Sequence, residues 1–277
     1  MLKKIKALSI GILLGIVSLS ASAHFVVMYT PQTALLRASD VPMHIVFTHV
    51  FAGGPTYDME MPERFYYTYQ QGAFSFPEEV DLKPYLEEIE WHDGDRTLKA
   101  WRADIPRDVM RSLGDYQIVI EPEPYWEEEE GLYIQQFSKV MVNVGGVGGN
   151  WLQSLGLPAE IQALNKPYAN WTGGVFRGVV LSEGLPVPFT QVEVEYMNHP
   201  PNLDENMFQE EPLIEAPHPS LEAIIISTNE FGEFSFAMPK AGWWGFAALT
   251  VGPERELNGE FLSQDAILWV QATDLPE

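Results

Sequence analysis

The chain has 277 residues, 46% of them hydrophobic, which is enough for one large domain or two ordinary ones around a real core. A formal net charge of −23 excludes a surface built to neutralise nucleic-acid phosphates; such a surface repels anionic lipid headgroups and attracts cations. There is no cysteine, so no disulfide staples the fold, and a metal site must use nitrogen, oxygen or thioether ligands.

The first element has the form of an export signal. Lys3, Lys4 and Lys6 make a basic start, the apolar run "ALSIGILLGIVSL" follows over 7–19, and "ASA" at 21–23 presents small residues for cleavage. The run is shorter than the ~20 residues that span a bilayer. Residues 1–23 are therefore expected to be a signal peptide, whose removal leaves 254 residues with a charge of −26. The expected location is the periplasm, without a lipid anchor because no cysteine follows the cleavage site.

Cleavage makes His24 the first residue of the mature chain. A free α-amine has a pKa of ~7.7–8 and is partly deprotonated at neutral pH. That amine and Nδ1 of the same histidine can close on one ion as a chelate. One more imidazole gives a three-nitrogen site suited to Ni(II) or Cu(II). His44 and His49 are the candidates; five positions apart, on one strand they face opposite ways, so at most one can meet His24. His49 ends "FTH" just before the Gly-rich "VFAGGP", and strand ends and their loops are where binding groups sit. His49 is therefore favoured as the ligand and His44 as a structural residue. "YDMEMP" at 57–62 adds Asp58 as a carboxylate and Met59 as a thioether, although methionine more often fills a core.

Short apolar and aromatic runs between Gly, Pro and Asp continue the chain as strands: "HIVFTHVF", "RFYYTY", "TLKAWRADI", "YQIVIEP", "KVMVNV". Tyr116, Ile118 and Ile120 alternate with Gln117, Val119 and Glu121, as in a sheet with two unlike faces. Residues 81–91 admit a helical turn or two, the Asp-Gly-Asp of 93–95 a hairpin turn, and 106–114 a single turn closing on Gly114. "WEEEEG" at 126–131 reads as a solvated acidic loop. Residues 24–144 thus form one expected β-sandwich. "GGVGGN" opens a linker over 145–172, and strands resume over 173–277 as a second sandwich. Its expected core includes Val192, Val194, Phe234, Phe236, Trp243, Phe246 and Ile267. The acidic stretch 199–219 is expected to be a mobile surface loop. The fold class is all-β, two β-sandwich domains in tandem.

"FRGVVLSEGLPVPFTQVEVEY", "TNEFGEFSFAMPKAGWWGFAAL" and "LSQDAILWVQA" resemble the periplasmic component family of nickel and cobalt uptake systems, whose members are also described as a domain of unknown function. "AHFVVMYTP", "FTHVFAGGPTYDMEMP" and "GLPAEIQALNKPY" carry the resemblance over nearly all of the mature chain, and His49 falls on the matching motif. The C-terminal half is also similar to transthyretin-like and carboxypeptidase-regulatory-like sandwiches. The chain departs from the family in the insertion at 199–219 and the "EEEE" at 127–130. The resemblance implies a nickel or cobalt handling role; the expected function is capture of Ni(II) or Co(II), copper also suiting the three nitrogens, to support uptake by a membrane metal transporter.

No nucleophile elbow, H-E-x-x-H, phosphate loop or dinucleotide fingerprint is present, so an enzyme is not expected. Two rival readings remain. One is a copper enzyme acting on polysaccharide through a histidine brace, with the tyrosines of 64–69 as its aromatic platform. The other is a module that binds a protein or glycan without metal.

Overall fold

A computed structural model describes residues 24–70 and 76–276; the expected signal peptide, residues 1–23, lies outside the described residues. The architecture is all-β, and it is built in three layers. The middle layer is a twelve-stranded sheet. Its main path runs Ala223–Ser227, Gln191–Tyr196, Gly242–Ala248, Glu260–Thr273, Leu132–Val144, Gly114–Glu121, Arg64–Tyr69, Glu78–Asp81. Four of these strands come from each half of the chain. The halves join where Leu132–Val144 and Glu260–Thr273 lie parallel, paired from Tyr133↔Leu262 to Val140↔Trp269.

Side chains of a strand alternate between faces, so one strand can feed two cores. Ile134, Val140, Val142 and Val144 enter a core with Phe25, Ile45, Trp101 and Trp269. Phe137 and Met141, from the same strand, enter the opposite core with Ile161, Phe176, Phe246 and Leu268. The strand at 114–121 splits as its sequence suggests: Tyr116, Ile118 and Ile120 go one way and Val119 the other.

An outer sheet covers each face. The first runs Phe25–Tyr29, Val41–Thr48, Arg96–Ile105, Leu86–Asp93, then the short strands Met207–Phe208 and Pro201–Asn202. The second holds Ala159–Ala163, Val175–Ser182 and Leu185–Pro186, with Glu233–Ala237 paired to Val175–Ser182. Two sandwiches are therefore present, set back to back on a shared middle sheet. The segment expected as a linker, 145–172, is woven into them. It carries the strands Ala159–Ala163 and Asn170–Trp171. It also supplies Glu160, whose buried carboxylate meets Lys139 Nζ at 2.5 Å across the layers. Ser154 Oγ and the amides of Leu155 and Gly156 donate to the same carboxylate.

Three local expectations change. Residues 81–91 hold one 3-10 turn, Lys83–Tyr85, and then a strand, because Ile89 and Trp91 alternate with exposed Glu88, Glu90 and His92. The acidic stretch 199–219 is ordered against the first outer sheet. Met207 pairs with His92, and the Phe208 ring packs 4.9 Å from the fully buried Trp91. Of the core residues expected in the C-terminal half, six are buried and Phe236 is half-buried. Trp243 and Ile267 face the N-terminal core, on the other side of the shared sheet. No helix among the described residues is long and apolar enough to cross a membrane.

Candidate metal centre

The first structured strand places the candidate site. In the antiparallel pair formed by Phe25–Tyr29 and Val41–Thr48, Phe25 lies opposite Thr48. One step further out the same register puts His24 opposite His49. Their rings sit 4.2 Å apart between centroids. Directly after His49 the chain reverses through the glycines of "VFAGGP", with Gly54 donating its amide to the His49 carbonyl at 3.1 Å. Gly53 has φ +70, and a Cβ there would stand 2.7 Å from the His199 ring, so a side chain would be both strained and blocked. The chain returns as Thr56–Tyr57, paired to Phe47 and Thr48, and this brings Tyr57 over the two imidazoles. The Tyr57 ring is 4.7 Å from that of His24, and its hydroxyl is 3.4 Å from His49 Nε2.

His24 is held on its other sides by the middle sheet. Gln136 Nε2 donates to the His24 carbonyl at 2.6 Å, and Gln136 Oε1 accepts from the Val26 amide at 2.8 Å. Gln136 also donates to Asp265, whose buried carboxylate accepts from Ser263 and from the Thr250 amide. Glu127 closes the site. Its carboxylate Oε2 lies 3.3 Å from His24 Nε2, with both side chains almost fully buried, although the pair is not aligned as a full hydrogen bond. Oε1 accepts from the Glu129 amide at 3.1 Å, which turns the acid inward.

Burial sets the charges. It pushes the His24 imidazole down to about 3, with His49 adding to the effect, and it lowers His49 as well. Burial raises Glu127 above the usual carboxylate range and takes the Tyr57 phenol up to about 12. The two imidazoles are therefore neutral at neutral pH, which is the state that binds metal.

Asp58 and Met59 stand apart from this group. Asp58 Oδ1 accepts from the Lys99 amide at 2.7 Å, and Met59 is buried in the N-terminal core. Both line a neighbouring cavity whose wall does not include His24. His44 is buried in the first outer sheet, its Nε2 3.3 Å from Asn206 Oδ1, and His92 is exposed. Among the described residues no three His, Asp or Glu side chains converge closely enough to hold an ion by themselves. Glu127 escapes the sequence reading because it opens a run of four glutamates, where only one faces inward. The signal that could have marked it is its place at the end of a strand, Tyr125–Glu127, rather than in the loop proper.

Comparison with known proteins bears on family and not on chemistry. No curated protein matches the chain. Among solved structures, the adhesin InvE of Yersinia pseudotuberculosis aligns at 8% identity over 89% of this chain and 60% of that one, with a TM-score of 0.24. The D00-D0 domain of Intimin aligns at 12% identity over 89% of this chain and 98% of that one, with a TM-score of 0.21. Trypsin-activated alpha-2-macroglobulin from Escherichia coli aligns at 8% identity over 91% of this chain and 16% of that one, at 0.24. The chain thus spans 60% of InvE and a small part of the macroglobulin. A family model matches residues 21–252, and the chain belongs to that family, described as Domain of unknown function (DUF4198).

Proposed function

We propose that this is a periplasmic metal-binding protein that captures Ni(II) or Co(II) through its mature N-terminal histidine, for uptake by a membrane transporter. The observation that carries the proposal is the pairing of His24 with His49 while Glu127 stands at His24 Nε2. A carboxylate at Nε2 leaves Nδ1 as the free ring nitrogen, and Nδ1 is the one that can chelate together with the α-amine. A carboxylate that accepts the Nε2 proton of a metal-bound imidazole orients the ring and raises its basicity, and Glu127 stands close enough to do so once the pair comes into line. His49 supplies the third nitrogen. The site then needs a donor that side chains do not provide, and removal of residues 1–23 creates it as the amine of His24. The negative surface raises the local cation concentration, an effect that salt weakens. Asp58 and Met59, engaged elsewhere, are left out of the proposed ligand set.

The same three nitrogens suit Cu(II), and the Tyr57 ring over them favours a second reading as a histidine-brace copper enzyme. That reading needs an exposed aromatic platform, whereas Tyr66, Tyr67 and Tyr69 are buried, so the carrier is preferred. Reductant-dependent peroxide production by the copper-loaded protein is the outcome that would favour the enzyme.

The test is calorimetric titration of Ni(II) into four proteins: the form beginning at His24, a form with one Met before His24, His49→Ala and His44→Ala. The added residue turns the amine into an amide. It and His49→Ala should each weaken binding at least tenfold, or ~1.4 kcal/mol. His44→Ala should bind as the parent does. Equal affinity in the Met-extended and processed forms would refute the proposal.

A further inference from the structure

We propose that the cavity next to the histidine pair binds a small organic ammonium ion, a ligand of the size and charge of choline. The inference does not rest on the metal proposal. The cavity has a volume of about 190 Å³ and is partly open to solvent. Aromatic rings of Phe47, Tyr125 and Trp126 form its walls, and Val26, Met59 and Ile134 are its apolar lining. Asp58, Glu60 and Glu123 are also among its lining residues. Lys99 neutralises Glu60, with Nζ 3.0 Å from the carboxylate. Among the described residues no Lys or Arg forms an ion pair with Asp58 or Glu123. A largely apolar cavity lined by aromatic residues, with Asp58 and Glu60 sharing the one Lys99 and Glu123 outside any ion pair, keeps a net negative edge that suits a cation carrying its charge on a methylated, weakly hydrated head.

The walls are fixed before any ligand arrives. The 58–60 segment is tied to its neighbouring strand: besides the Lys99–Glu60 pair, the Lys99 amide donates to Asp58 at 2.7 Å, the Met59 amide to the Lys99 carbonyl at 3.0 Å, and Trp101 Nε1 to the carbonyls of Met59 at 3.0 Å and Glu60 at 3.1 Å. Phe47 and Tyr125 meet edge to face at 5.3 Å, and Trp126 leans on Tyr133 at 4.9 Å. A preformed site loses little freedom on binding, which favours affinity. A bare metal ion gains nothing from such apolar walls, and an anion is repelled by the carboxylates.

The experiment is calorimetric titration of choline into the protein beginning at His24, beside 3,3-dimethylbutan-1-ol, the uncharged molecule of the same shape. Choline should bind saturably and the alcohol at least tenfold more weakly. Trp126→Ala should weaken choline binding about tenfold, and Glu123→Gln by a smaller but measurable factor. Glu211→Gln makes the same charge change outside the cavity and should leave binding unaltered. Thermal unfolding of each variant checks the fold, and the exposed Glu123 keeps the test decisive if Trp126→Ala disturbs its strand. No saturable binding at millimolar choline, equal binding of the alcohol, or unchanged binding in both cavity variants would overturn the proposal.

Discussion

Glu127 shows how much one residue can hide in a sequence. Four consecutive glutamates look alike in composition, yet Glu127 is 3% exposed and touches His24, while its three neighbours face water. Glu127→Gln keeps the shape and removes the charge that would support a metal-bound imidazole. Ni(II) affinity should fall about tenfold with the melting temperature little changed, read by titration and calorimetry together. His44 gives a prediction about the metal-free protein. Its pKa is lowered, chiefly by burial, against an unfolded value of ~6.5. The folded state therefore binds fewer protons than the unfolded one as pH falls below 6.5. The stability that neutral His44 contributes is present in full above that pH and declines in acid, with a slope of up to ~1.4 kcal/mol per pH unit. His24 and His49 act in the same direction. Denaturant midpoints between pH 7 and 5 should fall less steeply in His44→Gln than in the parent. His24 and His49 were legible in the sequence because the position just after a signal-like stretch and the end of a strand are local features. Tyr57 and Glu127 were not, since they reach the site through a turn and a separate strand.

At the scale of elements, the contact between the middle sheet and the strand Ala159–Ala163 depends on a buried charge pair. Lys139 and Glu160 are each at most 1% exposed. Lys139→Met leaves the Glu160 carboxylate buried with only Ser154 and two amides as partners. The loss should be about 3–5 kcal/mol in a denaturant titration. Replacing both residues with apolar ones should not restore the parent, because the Leu155 and Gly156 amides would lose their acceptor. Much of this level could be read in advance. The alternation at 114–121 and the turn at 93–96 are period-two and Gly-turn signals confined to a few residues. The stretch 199–219 was harder, because it has no period-two alternation and a single ring, Phe208, docks it onto Trp91. The parallel pairing of 133–140 with 262–269 left no local mark at all, since the partners lie over a hundred positions apart.

The whole molecule follows from that pairing. Trp269, fully buried, belongs to the core built mostly by residues before 145, so neither half owns all of its own interior. Heating should produce one cooperative transition in calorimetry. A fragment of residues 24–144 should stay unfolded by circular dichroism, since it lacks Trp243, Ile267 and Trp269 and exposes the edge of 132–144. A folded, cooperatively melting fragment would show that the shared sheet is dispensable. The strand at the centre of that sheet, Glu260–Thr273, pairs with Gly242–Ala248 on one side and with Leu132–Val144 on the other. It is a party wall between two rooms: Ala266, Leu268 and Val270 serve one core, Ile267 and Trp269 the other. A breach anywhere along it opens both rooms together, so this strand has no position where damage stays within one sandwich.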